Sequence, residues 1–112
     1  FLPAAKAKAY GKVTIFAEPT TTKQTAISAS LLEVAAGASV PEHVHTQETE
    51  ALYMLAGAGT MTVAGTKLAV TASTVIQIPP NTKHSFTASG DVRAVQFYTP
   101  AGPEQRFKQS KP

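Results

Sequence analysis

Residues 39–55 read SVPEHVHTQETEALYML, and this stretch carries both the fold class and the chemistry. One run ends on His43-Val44-His45. After a short polar turn, a second run alternates Glu50, Leu52 and Met54 with Ala51, Tyr53 and Leu55. Period-two alternation marks a strand, because successive side chains leave it on opposite faces. His43 and His45 then share one face with Val44 opposite, and Glu50, Leu52 and Met54 share another. Pairing the two runs as an inward-facing hairpin would set Glu50 against both histidines, with Leu52 and Met54 below as pocket wall.

The same pattern extends outward in both directions. Short β-prone runs at Val13–Ala17, Thr25–Val34, Ser39–Val44, Ala51–Leu55, Gly59–Val63, Lys67–Val70, Thr74–Ile78, His84–Thr87 and Val92–Tyr98 are separated by Gly, Pro and polar turns. No 3.6-residue period is sustained anywhere, and no internal repeat appears. Threonine, with 15 copies, suits such surfaces because β-branched residues lose little freedom there. About nine strands in 112 residues predict one all-β domain, a jelly-roll sandwich or barrel. The expected layout is an N-terminal arm at 1–24 with an edge strand, a barrel at 25–100 and a C-terminal arm at 101–112.

Composition narrows the chemistry. There is no cysteine, which removes disulfides, thiolate zinc sites, Fe–S clusters and cysteine nucleophiles. No run of about 18 apolar residues exists to span a membrane as a helix. The net charge of +3 resides at the two ends, in Lys6, Lys8, Lys12 and Lys23 and in Arg106, Lys108 and Lys111, while the middle is mildly acidic. A nucleic-acid surface wants a basic stripe interleaved with aromatics on the folded body, so that partner is not expected. The first residue is Phe1 rather than Met, so a preceding segment is expected; cytoplasmic and secreted or periplasmic locations both stay open.

All three histidines of the chain lie in two places, His43 and His45 in the first motif and His84 after Pro79-Pro80-Asn81-Thr82-Lys83. With Glu50 they make a ligand set of nitrogen and oxygen donors suited to one divalent transition metal per chain, whether Fe, Mn, Zn, Ni or Cu. A lone His-x-His is weak. With a carboxylate five positions on and a third histidine beyond a proline-rich turn it becomes specific.

Gly37-x5-His43-x-His45-x4-Glu50-x6-Gly57 resembles the first conserved motif of the cupin superfamily, and Pro79-x-Asn81-x2-His84 is similar to the second. Fifteen residues separate Gly57 from Ser73, as in small single-domain cupins. The resemblance covers about Thr25 to Pro100. It implies a double-stranded β-helix, metal binding by His43, His45, Glu50 and His84, and a homodimer. The second motif departs from the pattern at Ser73, Asn81 and Ala88, none of them a ligand. Asn81 is the mildest change, since Asn tolerates a left-handed turn.

Around the ligands, Glu50 and Glu48 are the candidate catalytic carboxylates, and Gln47, Leu52, Met54, Phe86 and Gln96 the candidate pocket residues. Glu48 and Gln47 would orient a bound water. Gln96, an amide in an otherwise apolar strand, would need a polar partner if it faces inward. Glu42 reads as a solvated loop carboxylate, Tyr53 as a core or interface residue, and Arg106 and Phe107 as closing either the barrel mouth or a dimer contact. An open position on iron would allow dioxygenase-type oxidation of a small molecule, the leading expectation. Zn, Mn or Ni would support an isomerase or lyase, and a non-enzymatic metal- or ligand-sensing domain is the remaining class.

Overall fold

Ten strands and two short helices make up the computed structural model, which describes residues 7–109. They run β1 (Lys8–Tyr10), β2 (Val13–Ala17), α1 (Pro19–Thr22), β3 (Ser28–Val34), β4 (Ser39–His43), β5 (Thr49–Ala56), β6 (Ala58–Val63), β7 (Thr66–Thr71), β8 (Val75–Ile78), β9 (His84–Ala88) and β10 (Val92–Thr99). A 3-10 helix (Pro103–Gln109) follows. All nine expected runs are strands, with ends shifted by up to three residues. β1 was not foreseen. It folds back on β2 through Gly11-Lys12, where Gly11 at φ +60 supplies the positive torsion that a two-residue hairpin requires.

Hydrogen bonding divides the strands into a six-stranded sheet, β1-β2-β3-β10-β5-β8, and a four-stranded sheet, β4-β9-β6-β7, antiparallel throughout. This is the double-sheet arrangement of a jelly roll. Apolar residues from both sheets meet between them, among them Val34, Leu52, Met54, Met61, Ile78 and Phe86, all buried.

The expected hairpin between the two runs of residues 39–55 does not form. β5 has β10 on one edge and β8 on the other, so no edge is left for β4, which pairs with β9 in the opposite sheet. Residues 44–48 therefore cross from one sheet to the other, and the face of Glu50 meets the histidines across the interior. Pro41 is tolerated because β4 is an edge strand, and the register shifts between Val40 and His43.

Beyond β10 the chain is anchored by buried acids. Glu104 is fully buried, and its two oxygens accept the Gly102 N–H (2.7 Å) and the Gln105 side-chain amide (2.9 Å). Glu18, 4% exposed, accepts the same amide at 3.0 Å and pairs with Lys108. Burial alone would raise both carboxyls, but these donors outweigh it and hold each below the usual 4.5. Depressed folded values mean that the stabilisation is complete above the ordinary carboxylate range and is lost as pH falls through the folded values. Acid is thus expected to detach the 3-10 helix before the sheets open. Hydrogen exchange across 103–109, compared with β5 and β10 during an acid titration, measures this; simultaneous loss of protection would contradict it.

Candidate metal centre

Three of the four candidate ligands stand where a strand begins or ends. His43 closes β4, His84 opens β9 directly opposite it, and Glu50 is the second residue of β5 in the other sheet. His45 lies in the crossing segment, whose backbone is fixed when the Asn81 N–H donates to the His45 carbonyl at 2.6 Å. Asn81 makes that bond from φ +58 and Ser73 sits at φ +67, so two of the three replacements in the second motif occupy left-handed positions.

Backbone carbonyls set the imidazoles. The His43 Nδ1–H donates to the Pro41 carbonyl at 2.7 Å and the His84 Nδ1–H to the Thr82 carbonyl at 2.8 Å. Both rings thereby present Nε2 to the interior, the usual way a ligating histidine is oriented from behind. Glu50 Oε1 lies 3.1 Å from His84 Nε2 and 3.3 Å from His45 Nε2, and Oε2 accepts the Gln96 side-chain N–H at 2.7 Å. One donor atom from each of His43, His45, Glu50 and His84 falls within 4.8 Å of the others.

The group fits a metal on two counts. His45 Nε2 is buried and, despite its 3.3 Å approach to Glu50, lacks the alignment of a hydrogen bond. A buried nitrogen without a partner is costly, and a cation between the rings would use it. The donor set is also one carboxylate with three imidazoles, which suits borderline divalent ions. The cluster of three histidines and one glutamate can therefore coordinate a divalent metal. Burial would raise Glu50, but the close approach of His45 and the bonds from His84 and Gln96 outweigh it and hold the carboxyl at about 2. It is a ligand-like anion and a poor base. Burial lowers His43, whereas in His84 the bonds to Glu50 and Thr82 overcome burial and raise it.

A cavity of about 370 Å³ opens beside this cluster. Leu52, Met54, Phe86 and Gln96 line it, along with Met61, Ile76 and Tyr98. Gln47 and Glu48, expected at the pocket and, for Glu48, in catalysis, are not among its lining residues. The alternation of β5 begins only at Thr49, so strand parity does not carry Glu48 to the side of Glu50; its carboxylate lies instead beside Gly102. Tyr98 went unnoticed in the sequence although it shares parity with Gln96 on β10. Its ring meets His45 edge-on at 5.1 Å, and burial, reinforced by the charge of Glu50, pushes its phenol far above the usual range. It stays protonated. Tyr53, by contrast, is on the outer face and 40% exposed.

With the fold and the cluster in place, the class is a jelly-roll domain with a three-histidine, one-glutamate centre. The cupin-domain family model matches residues 30–102, and the chain belongs to the cupin superfamily. Solved structures agree. KdgF from Halomonas sp. superposes with a TM-score of 0.77 at 17% identity, covering 94% of this chain and 96% of that one. A cupin protein from Bacteroides fragilis gives 0.65 at 29% identity, over 75% and 74% of the two chains. A predicted oxalate decarboxylase from Thermotoga maritima gives 0.72 at 18%, over 90% and 99%. Among curated proteins none matches significantly. No helix among the described residues is long and apolar enough to cross a membrane.

Proposed function

We propose that this cupin is a mononuclear metal enzyme acting on a small molecule, with dioxygenase-type oxidation as its reaction class. The observation that carries it is the buried His45 Nε2, without a hydrogen bond, in a four-ligand cluster beside an apolar cavity. His43, His45, Glu50 and His84 would hold the ion, which, if iron, supplies a position where dioxygen and substrate meet. Gln96 fixes the carboxylate of Glu50, and its own Oε1, buried without a partner, is free to accept a substrate hydroxyl. Leu52, Met54 and Phe86 exclude water from the reacting end.

Oxidation is favoured over proton-transfer chemistry by what lines the cavity. An isomerase or lyase needs a base near neutrality. With His43 and His84 committed to the ion, Glu50 held at about 2 and Tyr98 protonated, exposed Glu42 at the rim is the remaining candidate base in the lining. Elemental analysis of protein purified without a histidine tag, followed by oxygen uptake with small enediols and diketones, tests the reading. Iron with uptake is expected; zinc without uptake would sink it.

A homodimer belongs to the same proposal. On the outer face of the large sheet, Leu31, Val95, Tyr53 and Val75 stand in register across four strands, with Val75 70% exposed. Such an apolar row is what a second copy would cover. Light scattering should report a dimer, and Tyr53→Glu should dissociate it.

A further inference from the structure

The C-terminal 3-10 helix presents two different sides. With three residues per turn, positions i and i+3 eclipse. Gln105 and Lys108 project together, and both engage Glu18. Arg106 and Phe107 are left to the other sides, and both line the cavity. Phe107 is half-buried against Tyr98, with ring centroids 6.5 Å apart, while Arg106 is exposed where the cavity opens. The latch on Glu18 thus positions a cation at the mouth.

Among the described residues Arg93 and Lys108 are the arginine and lysine held in ion pairs, and Arg106 has no such partner. Glu42 lines the same mouth without pairing to it. Beyond it the wall is apolar, built by Leu52, Met61, Ile76 and Phe86.

We infer that Arg106 docks a carboxylate of the substrate, which makes the ligand class a small organic monoanion with an apolar body. The planar guanidinium offers paired donors, no acceptor and a permanent charge, which matches a carboxylate. A single arginine at an apolar mouth does not supply the several donors that a phosphate dianion takes. The body of the ligand lies among Leu52, Met61 and Phe86, and a further oxygen faces the histidine–glutamate cluster. Only that last contact rests on the cluster being a metal centre.

The test titrates the full chain as purified with phenylacetate and with phenylacetamide, measuring the metal content of the same samples. Phenylacetate should bind about tenfold more tightly, as a charge-assisted pair gives. The preference should collapse in Arg106→Gln, persist largely in Arg106→Lys, and grow in Glu42→Gln as a repelling charge is removed. Equal melting temperatures will show that the variants are folded. A preference untouched by Arg106→Gln overturns the inference; if that same preference disappears in His43→Ala, the metal is the anchor and the metal-centre reading stands. An Arg106-dependent preference in protein that holds no metal supports the inference while the metal-centre reading fails. Failure of both probes to bind overturns the inference.

Discussion

Glu50→Gln should cost the protein its metal, lowering affinity roughly 100-fold or more, beyond the 10- to 100-fold typical of losing a partner behind a ligand. The substitution removes the one anion facing three imidazoles, and it does so without changing the side chain's size. It also disturbs the pair of bonds that tie the carboxylate to His84 at 3.1 Å and Gln96 at 2.7 Å. Gln96→Ala supplies the internal comparison, since it spares the ligands and removes only their support; a loss of about tenfold is expected there. Metal content after dialysis against graded chelator resolves the two. Equal retention in wild type and Glu50→Gln would show that Glu50 is not a ligand.

The largest effect on folding is expected at Gly57. It joins β5 to β6 at φ +94, and a Cβ there would stand 2.2 Å from the Asp91 carbonyl oxygen and 2.8 Å from Val92 Cα. Both obstacles are backbone, so no rotamer change relieves them, and the torsion is itself unfavourable for an L side chain. Gly57→Ala should destabilise the domain by about 4 kcal/mol or more, a large share of the ~5–15 kcal/mol available to a protein of this kind. Gly65→Ala separates the causes. Its φ is +83 but nothing lies within 4 Å of the added carbon, so only the torsional cost of about 1 kcal/mol remains. Urea unfolding of both variants gives the difference, and equal losses would show that the clash at Gly57 relaxes.

Much of the centre was legible because its signals are local. His43, His45 and Glu50 fall within eight residues, and strand parity puts the two histidines on one side of the chain. Parity also identified the inward set Glu50, Leu52 and Met54, and the left-handed turn at Asn81 followed from the residue standing where glycine was expected. The failures are those of non-local choice. Whether residues 39–43 pair with 49–56 depends on β8 and β10 competing for the edges of β5, and no short window contains that competition. Glu48 was expected at the site because it sits between the ligands in the sequence, whereas its carboxylate lies beside Gly102. Arg106 was left between two roles, since its direction depends on Gln105 reaching Glu18, 87 positions earlier in the chain. Tyr98 was a missed opportunity: the alternation that marked Gln96 marks it equally.

The crossing of residues 44–48 between the sheets has a mechanical meaning. His43 and His84 belong to the four-stranded sheet and Glu50 to the six-stranded one, so an ion bound by all of them is a rivet through the sandwich. Prising the layers apart then means breaking coordinate bonds, and loading is written directly into resistance to unfolding, rising with the logarithm of free metal above its dissociation constant. A melting curve alone becomes a gauge of occupancy.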